Sequence, residues 1–343
     1  MSTMIKPRVT QDQRGIVSIL VTMIIMIVLT LIVTGFAQLA RREQRAALDN
    51  QLNTQAFYAA ESGVNDARRA RTDGFNGEKT TCPADPASPF VSLQNNNVSA
   101  DGLIQYSCLL IKSSLPYTLH QVSTDSSRIV PMNTYSSAGA LTNVGSLVFE
   151  WTGNSGSAFP PSTPNSLPPQ GVWGPSSIGM LRVDFIPVPS TISSANLSAG
   201  MMTFFAYPQV AAVSGQVVYG AGNGSIVSAS CDSATGQCKA TLTGLGAAST
   251  SKFYVRIKAL YNSITVKTTA IDVGGNSLLI EGAQAEIDST GKANDVLKRI
   301  KVRVDDGSET SGMDNFPEYP LETKNDICKK LEVWPGGVTN TSL

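Results

Sequence analysis

Cysteine is the residue type in this chain whose spacing could do chemistry most directly. The five cysteines are Cys82, Cys108, Cys231, Cys238 and Cys328. Cys231 and Cys238 enclose the polar segment DSATGQ between two strand-like runs, so a bridge between them closes a short hairpin loop. Such a loop stabilises a fold by about 2–3 kcal/mol in the loop-entropy picture. Metal binding is the weaker alternative, because two thiols without a nearby histidine are a poor zinc site. We predict a Cys231–Cys238 disulfide.

The other three cysteines allow several pairings. A Cys82–Cys108 bridge would tie the end of the N-terminal helix, described below, to the first predicted strand, and would leave Cys328 free. Cys82–Cys328 and Cys108–Cys328 remain open alternatives, because spacing does not fix connectivity.

Catalytic constellations are missing from the sequence. His120 is its single histidine, which excludes mechanisms that need two imidazoles. There is no Walker A sequence, dinucleotide fingerprint, GxSxG or EF-hand spacing. We expect no enzyme, no catalytic residue, no cofactor and no metal site.

The charge balance argues against one class of partner. The 343 residues contain 26 Lys and Arg against 26 Asp and Glu. Zero net charge removes the general electrostatic attraction that drives non-specific binding to nucleic acid. The length allows one or two domains beyond any membrane segment.

An uncharged apolar segment covers residues 16–40, IVSILVTMIIMIVLTLIVTGFAQLA. About 20 apolar residues suffice to span a bilayer as a helix. Basic residues flank both ends, so the positive-inside rule gives no orientation. A cleaved secretory signal is too short to explain the segment, whereas a plain signal anchor is a real alternative.

The helix is predicted to continue beyond the membrane. No proline occurs between residues 41 and 71. Apolar side chains recur there every three or four residues, at Leu48, Leu52, Ala56, Ala60, Val64 and Ala67. Thr72-Asp73-Gly74 is a stop signal. We predict one helix over 16–72, about 84 Å long, with a membrane half (16–40) and an amphipathic half (41–72). A signal anchor needs no such extension, whereas a subunit packed into a filament does.

Two segments carry a family resemblance. RGIVSIL at residues 14–20 resembles a type III prepilin signal, and QAFYAAESGV at residues 55–64 resembles the PilX-type N-terminal region of minor type IV pilins. The resemblance implies that residues 1–15 are a leader, that prepilin peptidase cuts between Gly15 and Ile16, and that Ile16 is then N-methylated. It covers residues 12–70 and leaves the remainder of the chain open.

Three further expectations follow from the resemblance. Major pilins carry a glutamate five residues after the cut, where this chain has Leu20, which favours a low-copy, tip-proximal subunit over a pilin that merely tolerates the loss. Glu61 matches the family's carboxylate on the second half of the helix and would contact the filament or the head, or else be a solvated helix residue. A Cys108–Cys328 bridge would resemble the C-terminal staple of pilins.

The remaining residues, 73–343, are predicted to form a β-rich extracytoplasmic head. The fold class is therefore α+β, with a long N-terminal helix followed by a predominantly antiparallel sheet. Strands are predicted at 103–112, 146–151, 180–188, 201–207, 215–220, 225–230, 238–243, 253–261, 264–272 and 297–304. The proline-rich segment 152–178 is a surface loop or a linker between two lobes, with Phe159 and Trp173 as its sticky residues or as parts of a passive connector.

These expectations combine into two hypotheses about function. The first is a structural minor pilin in a type IV pilus or pseudopilus, near the tip, contributing to assembly, adhesion or DNA uptake. Its partners would be other pilin subunits, prepilin peptidase, the inner membrane before assembly, and a surface ligand or DNA. It would span the cytoplasmic membrane once and then move to the cell surface. The alternative is a membrane-anchored adhesin or receptor displayed singly. The basic strand 297–304 could touch DNA or an anionic surface, although a solvated face is the favoured interpretation.

Overall fold

The computed structural model describes residues 14–75, 77–82, 98–99, 101–160, 169–188, 196, 200–210, 215–221, 223–305, 333–334 and 337–338. Residues 1–13 of the predicted leader and Cys328 lie outside the described residues. Helix α1 covers Arg14–Thr72. The strands are β1 Ile104–Lys112, β2 Thr118–Val122, β3 Ser127–Tyr135, β4 Ser146–Gly153, β5 Met180–Pro187, β6 Met202–Gln209, β7 Gln216–Val218, β8 Ser225–Cys231, β9 Cys238–Thr243, β10 Lys252–Leu260, β11 Ile264–Ile271, β12 Leu279–Glu281, β13 Gln284–Ala293, β14 Val296–Asp305, β15 Val333–Trp334 and β16 Gly337–Val338.

Helix α1 is continuous over its 59 residues and ends where the sequence predicts. Gly74 adopts a left-handed backbone with φ 99°. Its N–H donates to the Arg71 carbonyl at 3.1 Å, and the N–H of Phe75 donates to the Ala70 carbonyl at 2.9 Å. These two bonds form a Schellman motif, which satisfies carbonyls that the end of a helix leaves unpaired.

Most strands belong to one eleven-stranded sheet. Its path runs β12-β3-β10-β5-β6-β8-β9-β4-β11-β2, and β7 pairs with β9 beside the path. Pairing is antiparallel along this path except between β6 and β8, and β7 is also parallel to β9. A second sheet has the order β1-β13-β14. The long N-terminal helix followed by a mostly antiparallel sheet confirms the predicted fold class.

Alternation of buried and partly exposed side chains is clearest in two strands of the main core. Strands β10 and β11 bury every second residue, as a sheet with one face on the core requires. The largest buried rings are Trp151, Phe149 and Phe185, with Phe204 and Phe253 beside them. The indole N–H of Trp151 donates to the Gly179 carbonyl at 3.0 Å, so this buried polar group is paired.

Each of the ten predicted strands is found, but the sequence missed others. The missed strands include β2, β3, β12 and β13. The proline-rich segment 152–178 is described except for 161–168. Strands β4 and β5 on either side of it both belong to the eleven-stranded sheet, which favours a loop within one sheet. Trp173 is buried and Phe159 packs against the main core, so neither side chain is freely exposed for binding.

The described residues divide into two compact units. The first unit combines α1 up to Asp66 with Cys82–Leu109 and Ser289–Ile300. The second unit combines Ala67–Thr81 with Leu110–Asp288 and the residues from Lys301 onward. The first unit therefore contains most of the helix with parts of β1, β13 and β14, and the second contains the end of the helix and the eleven-stranded sheet.

Candidate assembly site

The N-terminal half of α1 exposes its apolar side chains all round. Residues 18–40 are exposed throughout, and Leu20 is 57% exposed. The hydroxyls of Thr22, Thr30 and Thr34 donate to carbonyls four residues earlier, at 3.1, 2.9 and 2.7 Å. Those bonds satisfy the polar groups that would otherwise be unpaired in lipid. By length and composition this is the one helix of the described chain that could cross a membrane.

In the second half of α1, one face is buried only beyond residue 51. Ala56, Ala60 and Ala67 are fully buried and Val64 is 8% exposed, which confirms this part of the stripe. Leu48, however, is 58% exposed, and all of residues 41–51 are exposed. Before Leu52, therefore, the predicted stripe has no packing partner among the residues that the structure describes.

The buried face of α1 packs directly on β13 within the first unit. A methyl group at Gly291 would collide with the backbone of Ala56 and Ala60. A methyl group at Gly63 would collide with the Ser289 hydroxyl and with the Tyr106 side chain. Small residues on both sides thus bring the helix backbone against the strand, a closeness that larger side chains would prevent.

A polar bond joins the helix to β1 in the same unit. Tyr106 is 5% exposed, and its hydroxyl donates to the Asp66 carboxylate. Burial of the phenol, followed by the negative charge of Asp66, raises the pKa of Tyr106. The phenol therefore remains protonated and able to donate across the physiological pH range. No local sequence pattern marks Tyr106, Ser289 or Gly291, because their contacts with the helix join distant parts of the chain.

The opposite face of α1 is exposed and carries two aromatic rings. Phe57 and Tyr58 are 49% and 59% exposed, with ring centroids 6.0 Å apart in an edge-to-face arrangement. Glu61 follows one turn later and is also exposed. Sequence analysis singled out Glu61 but not the rings, although spacings of three and four residues place all three on one helix face.

The two residues of the predicted cleavage site lie in the first turn of α1. Gly15 and Ile16 have helical backbones, and their side chains are outside the described part of the structure. Cleavage between them and methylation of Ile16 stay predictions.

The structure pairs four of the five cysteines. Cys231 and Cys238 form a disulfide across the hairpin of β8 and β9. Cys82 and Cys108 form a second disulfide within the first unit. The pairing that would resemble the C-terminal staple of pilins, Cys108–Cys328, is therefore not the one found. The Cys82–Cys108 bridge joins residues 26 positions apart, and the Cys231–Cys238 bridge closes a hairpin. Both bridges restrict the unfolded chain.

The basic strand β14 has acidic and aromatic neighbours in the second unit. The ammonium of Lys301 lies 2.8 Å from Glu286, and Arg303 lies 3.8 Å from the same carboxylate. The Arg303 guanidinium also covers the ring of Tyr117 at 4.0 Å. Leu297, at the start of the strand, is 59% exposed. Glu286 offsets part of the positive charge, which weakens the case for a DNA surface here.

Among the residues described, no three His, Cys, Asp or Glu side chains lie together as metal ligands would.

Comparison with known families bears on the helix. Residues 14–65 match the family model described as PilX N-terminal. No curated protein and no solved structure matches the chain. The match covers the exposed apolar half of α1, most of its second half, and the segments RGIVSIL and QAFYAAESGV. The chain thus carries a PilX-type N-terminal region of a type IV pilin-like protein. In particular, the match includes Phe57, Tyr58 and Glu61 on the exposed helix face.

Proposed function

We propose that this protein is a structural minor pilin that joins a type IV pilus or pseudopilus through α1. Prepilin peptidase removes residues 1–15, Ile16 becomes the N-methylated terminus, and the apolar half of α1 holds the subunit in the cytoplasmic membrane until assembly. The protein then lies outside the cell as part of the filament. It works as a subunit and has no catalytic activity.

The single observation that carries this proposal is that the two halves of α1 differ in which of their faces are exposed. Residues 18–40 are exposed on every side, whereas from Ala56 onward one face packs on β13 and the opposite face is exposed. An isolated membrane anchor gains nothing from a continuous rod that presents Phe57 and Tyr58 to solvent. In a filament, neighbouring helices would cover both the apolar half and these two rings.

Leu20 supports a low-copy role near the tip. A glutamate at this position could pair with the ammonium group of a neighbouring subunit, since a charge in lipid is costly unless it is paired. Leu20 is apolar and 57% exposed, so this subunit offers no such carboxylate at that level of α1. A subunit that cannot accept the next N-terminus in this way is suited to the end of a filament.

Processing provides the direct test of the proposal. The protein extracted from membranes of cells with prepilin peptidase should have a mass and an N-terminal sequence that begin at Ile16. Substitution Gly15→Phe should block cleavage, whereas the matched change Gly35→Phe, further along the same apolar helix, should leave it intact. Protein that still begins at Met1 in such membranes would contradict the proposal and favour a singly displayed adhesin or receptor.

A further inference from the structure

One face of the eleven-stranded sheet contains a cavity that the assembly role does not use. Its volume is about 430 Å³, within the range of pockets that hold small molecules. Met180, Phe205, Ile226, Leu260 and Tyr261 supply most of its lining. None of the described residues that line it is charged. All of them belong to the second unit, so the cavity lies within one compact body.

Cross-strand pairs form the floor of the cavity. Leu260 on β10 lies directly opposite Met180 on β5. Phe205 on β6 lies directly opposite Ile226 on β8. Because paired residues point to the same face of a sheet, each pair presents an apolar patch, and Arg182, which is paired with Phe205, lies beside them on that face. Ile226 remains 40% exposed at its edge.

Tyr261 is held rigidly at the wall of the cavity. Its ring stacks on Trp173 with centroids 4.0 Å apart and an interplanar angle of 5°. Trp173 in turn meets the ring of Tyr207 edge-on at 5.8 Å. The stack covers one face of the Tyr261 ring, so its other face or its edge is the part that lines the cavity. Aromatic rings fixed in this way present a flat surface that needs little reordering when a ligand binds.

The backbone of Tyr261 is strained, and a neighbouring side chain holds it in place. Its φ of 70° lies in the left-handed region that a bulky side chain rarely adopts. The Asn262 amide donates to the carbonyls of Gly174 and Ser177, at 2.8 and 2.7 Å. These bonds fix the turn after β10 against the segment that carries Trp173. Strain of this kind persists where the surroundings enforce it and is concentrated at ligand sites.

We propose that this cavity binds a small, uncharged ligand with an aromatic ring, which packs between Tyr261 and Phe205. A charged ligand would lose its hydration without gaining a partner, because the lining is uncharged. A sugar would leave hydroxyls unpaired against Met180, Ile226 and Leu260, whereas an aromatic ring buries both faces without that penalty. Arg182 lies 5.8 Å from the Phe205 ring. Its charge is already paired with the buried Asp184 carboxylate, which accepts from its Nε–H at 3.1 Å, so it favours no charged ligand here.

Photolabelling of the full chain in lipid nanodiscs tests this proposal. The probe is 4-azidophenol, the competitor is p-cresol, and methyl β-glucopyranoside represents a sugar ring. Mass spectrometry of the peptides should find saturable label on the peptides that contain Met180, Phe205, Ile226 or Tyr261. An excess of p-cresol should remove this label, and the glucoside should not.

Two variants separate the site from the fold. Tyr261→Gly removes the ring and also relaxes the left-handed backbone, so we expect roughly ten-fold weaker labelling without loss of the folded state. Ser249→Gly is the matched control, because Ser249 also has a positive φ, of 44°, but does not line the cavity. Ile226→Trp should fill the cavity and block labelling, with Val218→Trp on exposed β7 as its control.

Three outcomes would overturn the proposal. The first is the absence of saturable label on the cavity peptides. The second is equal competition by the glucoside and p-cresol, which would point to a carbohydrate. The third is wild-type labelling of Tyr261→Gly in a folded chain. Circular dichroism of each variant checks the folded state independently of the label.

Discussion

Gly291 of β13 lies against the backbone of Ala60 in α1, with no room for a side chain between them. The contact joins the part of the chain that matches the PilX N-terminal region to β13 within the first unit. A close approach of this kind allows many weak van der Waals contacts between two backbones. The helix is thus fitted to a strand more than 200 residues later in the sequence.

Gly291→Ala should destabilise the first unit. The added methyl group meets the backbone of Ala56 and Ala60, which cannot turn aside as a flexible side chain could. Overpacking of this kind costs about 1–3 kcal/mol. Chemical denaturation followed by circular dichroism would measure the loss. Gly171→Ala is the control, since no atom lies within 4 Å of a methyl group there. Equal stability of the two variants would contradict the close packing of α1 on β13.

The helix and most strands could be predicted because their signals are local. The apolar run of 16–40 and the Gly74 stop are each contained in a few consecutive residues. Strand β13 was not predicted, because its sequence, QAEIDSTGKA, places Asp288, Ser289 and Gly291 at buried positions. The small residues Ser289 and Gly291 make sense only once α1 is packed over them. Likewise, the Trp173–Tyr261 stack joins residues on different loops, and no local pattern predicts that contact.

Acidification should weaken the fold through His120. Its side chain is buried, with Nδ1 3.5 Å from Asp305, and its Nε2 has no hydrogen-bond partner in the described structure. Burial lowers the pKa of His120; the Asp305 charge opposes this and Arg128 reinforces it. Below the pKa of about 6.5 that His120 has in the unfolded chain, the unfolded chain therefore binds a proton that the folded chain does not bind. Stability should fall as pH decreases, by at most about 1.4 kcal/mol per pH unit, until the folded state also takes up the proton.

The measurement is the free energy of unfolding at pH 7.5 and pH 5.5. His120→Gln cannot titrate but can still donate to Asp305, so it should show a smaller difference between the two pH values. The carboxylates whose pKa is lowered, Asp101, Asp232 and Asp272, lose their contribution only at more acidic pH and do not affect the comparison of pH 7.5 with pH 5.5. An unchanged difference in His120→Gln would mean that another group is responsible.

The two disulfides should differ in their contribution to stability. Cys82 and Cys108 are 26 residues apart, whereas Cys231 and Cys238 are 7 residues apart. Loop entropy then predicts a loss of about 3.5 kcal/mol for the longer loop and about 2.4 kcal/mol for the shorter one. Double Cys→Ala variants, each lacking one bridge, would test this by denaturation. Alkylation of the unreduced, denatured protein should add one label per chain, at Cys328. Two or more labels would contradict the observed pairing.

The exposed rings of α1 should matter for assembly and not for folding. Phe57 and Tyr58 are 49% and 59% exposed and lie on the face away from β13, so replacing both with Ala should change the free energy of unfolding by less than about 0.5 kcal/mol. If a neighbouring subunit covers them, the same variant should lose most of its incorporation into sheared filaments, measured by immunoblot against total cellular protein. The control is Leu103→Ala, because Leu103 is 57% exposed and lies outside α1. Normal incorporation of the double variant would place the subunit contact on another face of the helix. A large loss of stability would instead show that the rings serve the fold of the subunit itself.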